Sequence, residues 1–161
     1  MKKLSNRQVV ITIAVSVIVL FLLYQLVALA FIGERFLAAA GDGDIEKVQK
    51  LIDQGVNINY ADGWSGTAMF YASANGHTRI VALLLEKGVP VDQRYRLSRT
   101  AMMCAAHHGH IETIKFLMDK KANITLKDEW GKTAVSLAVE NGHNEAAAFI
   151  RSRCPSEKTC E

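Results

Sequence analysis

A chain of 161 residues, 22% charged and 50% apolar, holds one modest domain rather than several. Of its 19 Lys and Arg, Lys2, Lys3 and Arg7 precede a long apolar block, so 16 basic residues remain against 16 acidic ones and everything after that block is formally neutral. A neutral domain lacks the broad positive field that drives non-specific nucleic-acid binding, which excludes that class of partner and leaves the basic pI as a property of the leader.

Residues 1–8 form a short basic region, and residues 9–32 read VVITIAVSVIVLFLLYQLVALAFI, with only Thr12, Ser16 and Gln25 as clearly polar interruptions. A helix needs about 20 apolar residues to cross a bilayer, so the block predicts one N-terminal transmembrane or signal helix. Lys2, Lys3 and Arg7 lie before it and only Arg35, next to Glu34, lies close behind. The positive-inside bias therefore puts residues 1–8 in the cytoplasm and the rest outside, in a single-pass arrangement at the plasma or inner membrane, periplasmic if the cell is bacterial. The length of the block favours an uncleaved signal-anchor over a signal peptide, whose apolar core runs to about 7 to 15 residues. The competing reading is cleavage near Ala30, where Ala28-Leu29-Ala30 has the small-residue spacing a signal peptidase accepts, giving a secreted or periplasmic protein. No Cys stands near the end of the block to carry a lipid anchor.

Beyond the block the chain repeats with a period of 33 residues, which aligns Gly66-Thr67-Ala68 with Arg99-Thr100-Ala101 and Lys132-Thr133-Ala134. The same step aligns Asn75-Gly76-His77, His108-Gly109-His110 and Asn141-Gly142-His143, and one step back reaches Asp42-Gly43-Asp44. Four units are expected, near 34–66, 67–99, 100–132 and 133–153, with a tail over 154–161. In each, a short Ala-rich run such as Met69 to Ala74 predicts an inner helix thin enough to pack closely. After each Gly an apolar stripe at helical spacing predicts an amphipathic outer helix: Val48, Leu51 and Ile52, then Ile80, Val81, Leu84 and Leu85, then Ile114, Leu117 and Met118, then Ala147 and Ile150. Thr67, Thr100 and Thr133 stand where each can cap an inner helix, and the Gly-His steps suit the tight turn between helices.

Thr-Ala opening one helix, Gly-His between helices and the exit Gly55-Val56-Asn57-Ile58-Asn59 make residues 34–153 resemble the ankyrin repeat, in the form of a small, bacterial-type, exported or membrane-anchored protein. The resemblance implies an all-α solenoid of four helix-turn-helix repeats behind the N-terminal helix. Two departures stand out: Ala68, Ala101 and Ala134 replace the usual Pro, and Phe70, Met103 and Ser136 replace the usual His. The family's Thr-to-His bonding is thereby weakened, and a stack held more by apolar burial is expected.

The resemblance also implies a non-enzymatic protein–protein interaction module that binds through its loop tips and the exposed side of its inner helices. The tips are residues 60–65, 93–98 and 126–131. The first and last keep turn-forming residues, whereas the middle one loses Asp and Gly and gains Arg94, Arg96 and Arg99 around Tyr95. Arg and Tyr concentrate binding energy because a guanidinium makes bidentate bonds and a ring buries area at low entropic cost. The expected binding face is therefore Arg94, Tyr95, Arg96 and Arg99, with Tyr60, Trp64 and Trp130 on neighbouring tips and Tyr71, His107, His108, Glu140 and Asn141 on the inner helices. The partner is an unidentified protein, with the membrane engaged through the N-terminal helix and no nucleic acid or small-molecule substrate. An accessory, inhibitor or stabilising protein for an envelope enzyme is one alternative, and a cytoplasm-facing scaffold of reversed topology is another.

No catalytic residue is proposed: the face offers no Ser-His-Asp order, no paired carboxylates on one element and no phosphate-cradling glycine loop. Cys104, His107, His108 and His110 carry metal-ligand side chains, with Cys104 and His108 four residues apart. His110 already has a framework role, however, and no carboxylate or further Cys completes a site, so neither a metal nor another cofactor is expected. Cys104 reads as a small apolar packing residue. Cys154 and Cys160 flank the C-terminal CPSEKTC and can pair in an oxidising compartment, or stand as two incidental thiols.

Overall fold

The structure, a computed structural model, describes residues 6–154. Its helices are α1 (Asn6–Asp42), α2 (Ile45–Asp53), α3 (Ala68–Ala74), α4 (Thr78–Glu86), α5 (Ala101–His107), α6 (Ile111–Asp119), α7 (Ala134–Glu140) and α8 (Asn144–Arg151), with one 3-10 turn at Arg96–Ser98. Among the described residues the only β pairing is an isolated bridge between Ala61 and Thr67. The chain divides into two compact units, residues 1–32 and 33–161.

In the first unit α1 is apolar all round, and every residue from Val10 to Val27 is exposed. A window of the helix reaches a mean hydropathy of 2.7, long and apolar enough for a membrane span or a signal sequence. A helix without a polar face has nothing to offer water, so its sequence is suited to lipid or to a packed interior.

In the second unit the last turns of α1 pair with α2, and α3/α4, α5/α6 and α7/α8 follow as hairpins. Inner helices pack α3 on α5 and α5 on α7; outer helices pack α2 on α4, α4 on α6 and α6 on α8. The Ala-rich inner helices explain the close approach, since Ala39, Ala40, Ala72, Ala105, Ala106 and Ala138 are all fully buried. The outer stripes fill the space between layers through Val48, Leu51, Ile80, Val81, Leu84, Ile114, Leu117 and Ile150, all buried, while Ile52, Leu85 and Met118 are half-buried at the stripe edge. Thr67, Thr100 and Thr133 cap α3, α5 and α7, each accepting from the amide of Phe70, Met103 or Ser136. Ser136, in the place of the usual His, closes a reciprocal box by accepting from the Thr133 amide at 2.8 Å.

Beside the apolar burial expected to hold the stack, a ladder of polar contacts links neighbouring repeats. Nε2 of His77 donates to the Gly41 carbonyl and Nε2 of His110 to the Ala74 carbonyl, both at 2.8 Å. Nδ2 of Asn75 also donates to Gly41 at 2.9 Å, and the hydroxyls of Thr78 and Thr113 pair at 2.7 Å. The histidine reaches back because Gly43 and Gly76 have positive φ and no Cβ, so the ring from the next repeat lies where a side chain would stand. In the first repeat, with no preceding repeat to bond, Asp44 takes the histidine's place and caps α2 by accepting from the Lys47 amide at 2.9 Å.

Candidate functional site

The tips are hairpins with one backbone plan. The amides of Asp62, Tyr95 and Asp128 donate to the carbonyls of Gly66, Arg99 and Lys132, at 3.1, 2.8 and 2.9 Å. Asp62 Oδ1 accepts from the amides of Trp64 and Gly66, and Asp128 Oδ1 accepts from those of Trp130 and Lys132, which locks the outer two turns. Tyr95 occupies the same register but cannot accept amides as a carboxylate does. The middle tip instead closes through a 3-10 turn in which Leu97 and Ser98 take left-handed backbone, at φ 60° and 56°.

This register corrects the placement of Tyr95 on the binding face: the residue is only 8% exposed. Its phenol is pushed above its ordinary range by burial first and by the neighbouring Cys104 second, with the Thr67 side chain opposing them. Cys104 is likewise buried, a free thiol pushed up to about 12 by desolvation.

The arginines of the middle tip are spread across three hairpins. Nη1 of Arg94 donates to the carbonyls of Ser98 and Lys127, both at 2.9 Å, tying its own turn to the next. Arg99 faces the buried carboxylate of Asp128 at 3.5 Å and lies over the Trp130 ring at 5.6 Å. Arg96 reaches the opposite way, over the Trp64 ring at 5.1 Å. Trp64 and Trp130 themselves are 70% and 58% exposed. Sequence reasoning named these residues but missed the stacking, which joins tips that the 33-residue alignment does not orient.

The remaining candidates divide between framework and open surface. The Tyr60 ring lies against Gly33 and its phenol donates to Glu34 at 2.9 Å, an interaction that raises its pKa. Tyr71 donates to Asp62 Oδ2 at 2.5 Å, and that bond, with burial, pushes its phenol up to about 12. Burial pushes the Asp62 carboxyl upward, but the bonds from Tyr71, Gly66 and Trp64 outweigh it and hold the pKa below the ordinary range. Asp62 is thus an anchor that the sequence reading passed over as turn chemistry. A cavity of about 320 Å³ lies beside it, lined by Glu34, Leu37, Ala38, Gly41, Asp42, Asp62, Tyr71 and Asn75. Glu140, exposed, pairs with Lys132 at 2.6 Å.

His107, His108 and Asn141 sit at the joint of the third and fourth hairpins. Nδ1 of His107 accepts from Nδ2 of Asn141 at 2.9 Å, and the ring of His108, 4.7 Å away, donates from Nδ1 to the Cys104 carbonyl at 3.0 Å. Among the described residues, no three of His, Cys, Asp and Glu converge as metal ligands. Cys154 is disulfide-bonded, and Cys160, the other half of the expected pair, lies outside the described residues.

His107 gives a pH dependence with a definite sign. Burial lowers its pKa most, Arg99, His108 and His143 lower it further, and Glu140 opposes them. Because the folded value lies below the ordinary 6.5, the unfolded chain takes up a proton that the folded ring refuses as pH falls through that window. Stability is complete above the window and declines through it. The urea midpoint is expected to be lower at about pH 5 than at about pH 7.5, and His107→Gln, which keeps an acceptor for Asn141, should flatten the slope. An unchanged slope in that variant would assign the dependence to other groups.

A family model for ankyrin repeats, three copies, matches residues 36–128 and 92–159. A search of curated proteins gave no match.

Proposed function

The chain belongs to the ankyrin-repeat family, and from that premise we propose that it is a non-enzymatic module, tethered to a membrane or exported across it, that holds a partner protein on its hairpin tips and inner-helix face. Ankyrin repeats imply protein–protein interaction, and the family is generally non-enzymatic. The observation that carries the proposal is the pair Trp64 and Trp130, the chain's two tryptophans, more than half exposed on the two tips that flank the middle one, with its arginines over their rings. An exposed indole keeps most of its apolar area in water, and covering it by a partner recovers that area at little entropic cost. Tyr71, His107, His108, Glu140 and Asn141 border the same face, with Tyr60 and Arg94 holding its tips in place.

We place the repeats outside the cytoplasm. Lys2, Lys3 and Arg7 before the apolar helix support that orientation, as does the disulfide at Cys154, since disulfides persist mainly in oxidising compartments. A photo-crosslinking amino acid at Trp64 in the full chain, in its own membranes, is expected to capture one discrete partner, while the same probe at Glu86, exposed on α4, captures none. Equal labelling from both positions would sink the face assignment. A phosphatase reporter after Glu161 should be active only outside the cytoplasm, and cytoplasmic activity would reverse the topology. The captured protein's identity separates a recruiting module from an inhibitor or stabiliser of an envelope enzyme.

A further inference from the structure

We infer that the surface made by Trp64, Arg96 and Trp130 takes an extended acidic segment of the partner, with a carboxylate on the guanidinium of Arg96 and apolar side chains against the indoles. This rests on the proposed reading that the hairpin tips carry the partner.

The three arginines of the middle tip are not equivalent. Arg94 already donates to two carbonyls, and Arg99 is committed to Asp128, with 18% of its side chain exposed. Arg96 is exposed, and the ion pairs among the described residues, Arg99–Asp128, Lys115–Glu112 and Lys132–Glu140, leave it without a carboxylate. Asp62 is close enough to feel its charge but forms no ion pair with it, its Oδ1 taken by two amides and its Oδ2 accepting from the Tyr71 phenol. The guanidinium is therefore held over Trp64 while its N–H groups make no hydrogen bond to a described residue. A planar fork matches a carboxylate, and the contact with the indole favours one placement of it before the partner arrives.

Charge decides the occupant. A partner that covers Trp64 must also cover the arginine lying on it, and burying an unpaired guanidinium is strongly unfavourable. Residues 93–99 carry three cations and no anion, against the exposed Glu129 on the next tip, whose amide donates to the Leu97 carbonyl, and a neutral segment would leave Arg96 unmet. Anionic lipid surfaces and polynucleotides draw on many cations acting together, which a formally neutral repeat domain does not supply. A guanidinium that lies on an indole and makes no hydrogen bond to a described residue suits a carboxylate flanked by apolar side chains.

The test uses the full chain in zwitterionic nanodiscs, titrated with a synthetic hexapeptide of alternating Glu and Leu and with its Gln–Leu isostere. The two tryptophans report directly, because both lie at the site. A saturable fluorescence change is expected with Glu–Leu, about tenfold weaker with Gln–Leu and weakening with salt. Arg96→Gln should bring Glu–Leu binding down to the Gln–Leu level, Arg96→Lys should restore only part of it, and Arg79→Gln, on an outer helix, should leave it unchanged. Equal binding of the two peptides, an indifferent Arg96→Gln, or no saturable change overturns the inference. So does a stronger response to nanodiscs containing anionic lipid without peptide. If the crosslinker at Trp64 still captures a protein when the peptide result fails, the interaction reading stands and only the acidic assignment falls.

Discussion

Leu84→Ala is expected to lower the free energy of unfolding of the repeat unit by about 2 to 5 kcal/mol, the range for large-to-small changes at buried sites. Leu84 is fully buried, in one stripe with Ile80 and Val81, on an outer helix that packs against its own α3 and against α2 and α6 on either side. A cavity there weakens the joints on both sides of the second hairpin, and in a solenoid stability is close to a sum of repeat and nearest-neighbour terms. Leu83, one residue earlier and half-buried, serves as the comparison and should cost about 1 kcal/mol or less when truncated. Urea denaturation followed by far-ultraviolet circular dichroism distinguishes them. A Leu84 effect no larger than that of Leu83 would mean the stripe does not carry the stack.

Gly76→Ala should cost about 1.5 to 3.5 kcal/mol, from two separable causes. The glycine has φ +75°, and forcing an L-residue into left-handed backbone costs about 1 to 2 kcal/mol. The new Cβ would also meet the imidazole of His110, whose Nε2 donates to the Ala74 carbonyl at 2.8 Å, and displacing that ring sacrifices a bond worth about 0.5 to 1.5 kcal/mol net. Gly55→Ala isolates the first cause, since Gly55 has a similar φ of +81° and nothing within 4 Å of the added Cβ. The same denaturation experiment should find the Gly76 variant the less stable of the two. Equal losses would show that the histidine tie between repeats contributes nothing to the joint.

The repeat architecture was legible in the sequence because its information is local. Each hairpin is written in a window of 33 residues: an Ala-rich inner run, a threonine cap, a glycine turn and an apolar stripe. Packing reaches only to the neighbouring copy, so no long-range pairing had to be guessed. The apolar N-terminal helix was equally plain, since a charge-free run of that length has few other uses. Even the departures could be seen as departures, although their effect could not.

Side-chain direction at the tips was not legible. The alignment puts Tyr95 in register with Asp62 and Asp128, a signal that could have marked it as a framework position, but whether the ring turned in or out depended on a backbone that closes without a carboxylate. The sequence likewise presents three arginines as equals. Only the folded stack brings the Lys127 carbonyl to Arg94, Asp128 to Arg99 and Trp64 to Arg96, and so makes the three unlike. The histidine ladder has the same origin, because the carbonyl each ring reaches belongs to the previous repeat, 36 residues back. Helix type, period and cap are set by residues within a turn or two of one another, and the sequence by itself determined them. Hydrogen bonds and ring stacks between repeats depend on how neighbouring hairpins are rotated and spaced, and only the tertiary structure fixes those distances.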